Sequence, residues 1–300
     1  MQIYDIKEGK RTKSIPSKKY GIHLARFTHH SRQVLFASTK QENSLRLLEL
    51  HNESFVRYFT GHTGQVTSLS LNPASDQILS CGDDDMVYLW DINSRSPQGK
   101  LKLVTPYLAT YDPSGMIMAI ASQATSSILM YDVRNFDKAP FATFDLSEYE
   151  EKFTPTTRGR AWTRLEISND GANLLLGTDY HGHFVLNSFE GDVKSFLAGK
   201  SSTLGRAAPV SSSGKVLGQG DACFTQDGRY VIGGVGDEPG LLVWDTTLAN
   251  GGRQEPTHKL VSPSIKSAVV QVNPRFNMMA TADSRVCLWR PQDQIRAPEL

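Results

Sequence analysis

The amino-acid sequence predicts an all-β fold, a seven-bladed β-propeller whose first blade is incomplete at the N-terminus. One complete repeat opens on Gly61-His62 and closes on Leu89-Trp90-Asp91, which is the spacing of one four-stranded blade. Weaker copies of this pattern recur along the chain. Because a single four-stranded sheet cannot bury both of its faces, such units stack radially around an axis.

Each copy is recognised by a turn and by the strand that ends near an aromatic residue or an aspartate. The turns between first and second strands are predicted at Asn72-Pro73, Asp112-Pro113, Asp170-Gly171, Asp227-Gly228 and Asn273-Pro274. The third strands are predicted at Gln2–Asp5, Leu45–Glu49, Val87–Trp90, Ile128–Tyr131, Phe184–Leu186, Leu241–Trp244 and Val286–Trp289. Equivalent positions in these strands lie 44, 42, 41, 56, 57 and 45 residues apart, at Tyr4, Leu48, Trp90, Tyr131, Asn187, Trp244 and Trp289. Seven third strands predict seven blades.

The whole chain is expected to form one domain. We predict a partial blade at 1–20 and blades at about 21–60, 61–100, 101–144, 145–198, 199–255 and 256–300. If Tyr4-Asp5 closes a third strand, the first two strands of that blade are absent from the chain. By analogy with one repeat length, roughly 30–45 further residues are expected upstream. The segment from Arg290 to Leu300 is too short to predict an additional strand.

Four polar and aromatic residues of the complete repeat occupy the places where such blades form a buried hydrogen-bond network: His62, Ser80, Asp84 and Trp90. Networks of this kind specify a fold, so we assign these residues a structural role. A catalytic Ser-His-Asp triad is the alternative, but it needs an exposed nucleophile and an oxyanion hole, and the sequence signals neither. We therefore predict that the protein is not an enzyme.

Composition restricts the other function classes. The chain has 300 residues, a net charge of +1 and no apolar run long enough to cross a membrane. Direct nucleic-acid binding is not expected from this charge balance. Cys81, Cys223 and Cys287 are odd in number and widely spaced, which favours free intracellular thiols over a disulfide or metal framework. His181-Gly182-His183 lacks further ligands nearby, so neither a metal nor a cofactor is predicted.

Two connections are longer than a blade requires, and one basic segment stands out. The connection Asp145–Ala161 begins acidic and ends basic, and Lys200–Gly220 is rich in Ser and Gly. Long loops on a rigid ring either contact partners or are flexible, and the sequence leaves both open for the first connection and favours flexibility for the second. The basic segment between Lys7 and Lys19 is either a solvated surface or a recognition site for acidic or phosphorylated peptides.

Several segments carry a resemblance to a known family, and Phe136–Phe144 is the most distinctive because generic WD repeats do not require it. The other similar segments are Ser17–Gly21, Val56–Phe59 followed by Gly61-His62, Asp132–Asn135, Ser168–Gly171 and Ser188–Gly191. Together they resemble one WD-repeat family, the subunit shared by the COMPASS (Set-type) histone methyltransferase complex and the cleavage and polyadenylation factor. The likeness runs from Tyr4 to about Trp289. The absent N-terminal strands and the expanded 200–220 loop depart from the family pattern.

This resemblance implies a nuclear, non-catalytic adaptor. Members of the family support methylation of a histone H3 lysine and couple it to transcribing RNA polymerase II. In the processing factor they bear on transcription termination and mRNA 3′-end formation. The implied partners are therefore methyltransferase subunits, the polyadenylation machinery and, as a further candidate, the phosphorylated tail of RNA polymerase II. A rigid ring would dock extended segments of such partners by strand addition or in side-chain pockets.

Aromatic and cationic residues in the family-like segments are the candidate partner contacts, since these residue types are enriched at interface hot spots. They are Lys18, Lys19, Tyr20, Arg57, Tyr58, Phe136, Lys138 and Phe141. Packing between blades is the alternative role for the three aromatic residues Tyr20, Tyr58 and Phe141. A second function remains open, because Leu129–Arg134 resembles the Trp-Asp-x-Arg docking motif of substrate receptors of cullin-type ubiquitin ligases. A propeller enzyme is a third class, and the sequence marks no convergent titratable residues for it.

Overall fold

The computed structural model describes residues 1–154, 162–179, 181–200, 222–235, 239–261, 269–282 and 285–291. Short antiparallel strands account for almost all of its regular structure. They form seven sheets in which neighbours in sequence are neighbours in space, except for one two-residue strand that pairs with an earlier blade. The loop predicted at 200–220 lies outside the described residues, apart from Lys200.

The first sheet is a hairpin, and six blades follow it. The N-terminal hairpin contains β1 (Gln2–Asp5) and β2 (Lys10–Ser14). Blade one contains β3 (His23–Phe27), β4 (Gln33–Ala37), β5 (Leu45–Glu49) and β6 (Ser54–Phe59). Blade two contains β7 (Val66–Leu71), β8 (Gln77–Gly82), β9 (Met86–Asp91) and β10 (Gly99–Lys102). Blade three contains β11 (Pro106–Tyr111), β12 (Ile117–Ser122), β13 (Ser127–Asp132) and β14 (Ala142–Asp145).

The second half of the ring is built in the same way. Blade four contains β15 (Trp162–Ile167), β16 (Asn173–Thr178), β17 (His183–Asn187) and β18 (Val193–Leu197), and β22 (Arg253–Gln254) pairs parallel to β18. Blade five contains β19 (Ala222–Phe224), β20 (Tyr230–Gly234), β21 (Leu241–Asp245) and β23 (His258–Leu260). The described strands of blade six are β24 (Val269–Val272), β25 (Met279–Ala282) and β26 (Val286–Trp289).

The predicted propeller is confirmed, with six blades and a two-stranded hairpin in the described part of the chain. Every segment predicted as a third strand is a strand. The predicted turns work because Asx side chains hold the backbone locally. In blade three, for example, Asp112 accepts hydrogen bonds from the backbone amides of Ser114 (3.2 Å) and Ile117 (2.9 Å). Gly115 completes that turn at a φ of +73°, a conformation that favours glycine.

The apolar core lies between neighbouring blades, and tryptophans at the ends of third strands anchor it. Trp90 and Trp244 are fully buried, as is Trp162 on a first strand. The Trp90 ring meets Phe59 of blade one at 5.8 Å between centroids. The Trp244 indole N–H donates to the carbonyl of Ala198 in blade four (2.9 Å). Each blade is therefore stabilised by the next, as the stacking argument requires.

The connection beginning at Asp145 folds into the core along its described part. The helix α1 (Ser147–Phe153) places the Phe153 ring flat against Phe196, at 5.0 Å and 12°. Glu150 of this helix is buried. The described part of the connection is therefore a packed element, and neither of the two sequence interpretations anticipated this. No helix within the described ranges is long and apolar enough to cross a membrane.

Candidate partner-binding surfaces

The four predicted network residues form one connected hydrogen-bond chain in blade two. The Trp90 Nε1–H donates to Ser80 Oγ at 2.9 Å, and Ser80 Oγ lies 2.8 Å from His62 Nε2. His62 Nδ1 lies 3.0 Å from Asp84 Oδ1, which closes the chain. The Asp84 carboxylate can only accept a hydrogen bond, so Nδ1 of His62 carries a proton and donates to it. The serine is fully buried, which does not suit a nucleophile.

Two glycines of the repeat are required by close packing around this network. A methyl group on Gly82 would lie 2.6 Å from His62 Nδ1 and 2.7 Å from Asp84 Oδ1. A methyl group on Gly61 would lie 2.9 Å from the Trp90 ring. The Gly-His pair that identifies the repeat in the sequence is thus a consequence of how the imidazole and the indole pack together.

Asp84 is held as a carboxylate. Burial raises its pKa, but the hydrogen bond and charge of His62 and the backbone amides of Thr63 and Gly64 outweigh this and lower the pKa overall. The amide of Thr63 donates to Oδ2 at 2.8 Å. The charged form is therefore the one that the folded blade stabilises.

This shift predicts an acid-sensitive contribution to stability. Since the folded pKa lies below the unfolded value of about 3.9, the contribution is complete above that pH and is lost as the pH falls through the folded pKa. Asp84→Asn should lower the free energy of unfolding at pH 7 and flatten its decline between neutrality and acid, measured by urea denaturation. Asp137→Asn, at an exposed position, is the control. An unchanged acid slope in Asp84→Asn would contradict this account.

The predicted contacts Tyr20 and Tyr58 lie around a buried arginine that sequence reasoning missed. The guanidinium of Arg46 lies 3.6 Å from the Tyr20 ring centroid, 4.7 Å from that of Tyr58 and 5.5 Å from that of Phe55. Its Nε donates to Ser38 Oγ at 2.7 Å, and its Nη2 lies 3.2 Å from Glu42. We call this group the Arg46 cluster. Its outward surface is Tyr58, which is 45% exposed.

The cationic candidates Lys18, Lys19 and Arg57 lie next to Tyr20 and Tyr58 in the sequence. Lys18 and Lys19 are exposed, and the ammonium of Lys19 lies 5.0 Å from the Tyr20 ring. Arg57 is half-buried, and its Nη1 is buried without a hydrogen-bond partner. Tyr20 is half-buried and packs edge-on against Phe55 at 5.7 Å. Packing therefore explains much of the role of Tyr20, whereas Lys18, Lys19 and Tyr58 have exposed surface for contact with a partner.

Phe136, Lys138 and Phe141 lie elsewhere, in the connection between β13 and β14. Phe136 packs over β10 of the preceding blade, since a methyl group on Gly99 would lie 2.1 Å from its ring. Lys138 is exposed, and Phe141 is 60% exposed. In an antiparallel blade this connection and the turn between the first two strands share one face. The Arg46 cluster lies toward the other face. Arg46 on β5 contacts Tyr20 in the connection before β3 and Ser38 and Glu42 in the connection between β4 and β5.

Phe141 borders a groove of about 400 Å³ between blades three and four. On the other side is Phe189, which is 74% exposed. The groove is lined by apolar side chains and by two aspartates in the first turns of the two blades: Pro113, Ile117, Met130, Ile167, Asp112 and Asp170. Two exposed phenylalanines beside an apolar cleft are typical of an interaction surface. We call it the Phe141 groove.

Two further sequence hypotheses can be placed. His183 is fully buried at the start of β17, where its Nδ1 accepts a hydrogen bond from the amide of Thr178 (3.1 Å). It therefore lies at the start of a strand. Arg134, the last residue of the ligase-type motif, is exposed. The Asp132 side chain of that motif accepts a hydrogen bond from the backbone amide of Arg134 (2.8 Å). The ligase hypothesis stays a prediction.

Comparison with known proteins identifies the family. The WD domain, G-beta repeat, matches residues 53–91, the segment that holds the network. Along nearly the whole chain, the protein is 34% identical to an uncharacterized WD repeat-containing protein of Schizosaccharomyces pombe, covering 97% of this chain and 85% of that protein. It is 31% identical to the Set1 complex component swd2 of Schizosaccharomyces pombe (96% and 86%) and 31% identical to the COMPASS component SWD2 of Saccharomyces cerevisiae (95% and 83%). The chain belongs to the Swd2 family of WD-repeat proteins.

Membership of the Swd2 family confirms the resemblance seen in the sequence. The match extends through both surfaces described above, and it is not confined to the single repeat with the best WD signature. Both surfaces therefore lie in a chain that is similar to the Swd2 proteins over almost its full length.

Proposed function

We propose that the protein is a non-catalytic adaptor subunit of a COMPASS-like histone H3 lysine methyltransferase complex. The observation that carries this proposal is its 31% identity, over almost the full chain, to the swd2 and SWD2 subunits of the Set1 and COMPASS complexes. The buried Ser80 and the structural use of His62 and Asp84 support a scaffold. We further propose a nuclear location and a second role in the cleavage and polyadenylation factor, where it would link chromatin modification, mRNA processing and transcription termination to RNA polymerase II.

The proposed mechanism is the presentation of two separate surfaces on one rigid ring. The Arg46 cluster, with Lys18, Lys19 and Tyr58, offers aromatic and cationic contacts. The Phe141 groove offers apolar contacts near the opposite face. An adaptor with two surfaces can hold two segments of a complex at a fixed separation without any chemical step.

Affinity purification of the endogenous protein from nuclear extract, followed by mass spectrometry, tests this function. We expect methyltransferase subunits, with polyadenylation-factor subunits if the second role holds. Recovery of a ubiquitin-ligase adaptor alone, or of no stable partner, would contradict the proposal.

The Phe141 groove gives a sharper prediction. Phe141→Ala should weaken retention of methyltransferase subunits by about tenfold, because truncating an exposed aromatic anchor at an interface typically costs more than about 1 kcal/mol. Phe276→Ala is the matched control, since Phe276 is also exposed (51%) but lies in the first turn of blade six, outside the groove. The measurement is the dissociation constant of the purified complex, with the melting temperature of each variant recorded. If both substitutions weakened binding equally, the assignment of the Phe141 groove as a binding surface would be wrong.

A further inference from the structure

The innermost strands of the propeller enclose a cavity of about 670 Å³, and its described lining residues carry more positive than negative charge. It is lined by strands of blades one, two, three, four and six. Among the described residues, the titratable ones that line it are His23, Arg26, Arg164 and Glu166. The cavity therefore holds two guanidinium groups and one carboxylate, and its size is that of a ligand-binding cavity.

Glu166 is already engaged by one of the two arginines. The Nη2 and Nε of Arg164 lie 2.8 Å and 3.0 Å from Glu166 Oε2. Nη2 of Arg164 also donates to the side-chain oxygen of Gln271 across the cavity (3.1 Å). Two nitrogens of this guanidinium therefore donate to one carboxylate oxygen, which is a charge-assisted contact.

Arg26 has no comparable partner among the described residues. Its one hydrogen bond there goes to the carbonyl of the adjacent Ala25, at 3.3 Å. Its side chain reaches the solvent of the cavity, yet the surrounding strands desolvate it. Burial and the charge of Arg164 lower its pKa to about 10, against the opposing effect of Glu166. An arginine remains charged at neutral pH under these conditions, so the cavity has an excess positive charge.

His23 adds an unsatisfied polar group to the same wall. Its Nε2 is buried and has no hydrogen-bond partner in the described part of the chain. Burial and the neighbouring Arg26 lower the pKa of His23 to about 4, so the ring is neutral at physiological pH. His23 therefore adds no charge to the cavity wall, and the excess positive charge comes from Arg26.

We propose that this cavity binds an anionic group, a carboxylate or a phosphate carried by an extended acidic peptide. Arg26 would be the main contact, and the neutral His23 lines the cavity close to it. A peptide fits better than a free ion because Phe27, 57% exposed, lines the same cavity beside Arg26. Its ring offers an apolar contact that a neighbouring peptide side chain can cover. This site is independent of the proposed adaptor function.

The test is fluorescence anisotropy of the purified full chain with a labelled glutamate-rich peptide that has a central leucine. A phosphoserine version distinguishes phosphate from carboxylate, and binding of either supports the site. Arg26→Gln should weaken binding by about tenfold or more. The charge-matched control is Arg32→Gln, because Arg32 is exposed in the turn after β3 and outside the cavity; it should bind as the unaltered protein does.

Two further measurements keep the result interpretable. Glu166→Gln should strengthen binding of the acidic peptide, since it removes the one carboxylate that lines the cavity within the described residues. Arg26→Gln should keep or raise the melting temperature, because it removes a charge that Arg164 repels. Binding of neither acidic peptide, equal binding of a glutamine-substituted peptide, or unchanged affinity in Arg26→Gln would overturn the proposal. None of these outcomes depends on recovering methyltransferase subunits.

Discussion

Replacing Ser80 with alanine should lower the free energy of unfolding by about 2–4 kcal/mol, because one buried hydroxyl serves two partners. It accepts from the Trp90 indole at 2.9 Å and lies 2.8 Å from His62 Nε2. Alanine would leave both nitrogens buried without a partner. The loss of the His62 contact would also weaken the orientation of the imidazole toward Asp84, so the effect should exceed that of one ordinary hydrogen bond.

Urea denaturation of the purified chain measures this change. Ser75→Ala is the control, since Ser75 is exposed in the turn between β7 and β8 of the same blade. That variant should unfold within about 0.5 kcal/mol of the unaltered protein. If Ser80→Ala were as stable as the control, the network would be incidental to the blade.

Glu150→Ala should produce the other large loss, about 2–4 kcal/mol, although its side chain lies in a connection between blades. Glu150 Oε1 accepts from the buried Trp162 indole at 3.0 Å, and Oε2 accepts from Ser126 Oγ at 2.5 Å. This carboxylate therefore links α1 to the middle turn of blade three and to the first strand of blade four. Its removal leaves the fully buried Trp162 N–H unpaired and loosens Phe153 from Phe196.

The same helix offers a matched control. Glu151 is adjacent and exposed, so Glu151→Ala removes the same charge without touching the core. We expect Glu150→Ala, and not Glu151→Ala, to lower the melting temperature and to increase proteolysis within the connection after Asp145. Equal stability of the two variants would show that the buried contacts of Glu150 contribute little.

The repeat network was predictable because its signal is local. The residues of the network lie in one continuous stretch from Gly61 to Asp91. Its Gly61 and Gly82 are required because a side chain there would clash with the Trp90 and His62 rings. The acidic connection was not predictable in the same way. Glu148, Glu150 and Glu151 are alike in the sequence, and only the packing of α1 decides which of them is buried. The same holds for Tyr58, whose partner Arg46 lies on a neighbouring strand and gives no motif.

By itself the sequence determined the third strands and the turns, because apolar strand patterns and Asx turns act over a few residues and recur with each blade. It determined the family through distinctive segments such as Phe136–Phe144. Only the tertiary structure decided which side chains meet across blades. Arg164 and Gln271 are 107 residues apart in the chain, yet they touch in the central cavity. The placement of blades around that cavity sets this contact and the isolation of Arg26, and no local pattern encodes the distance between strands on different blades.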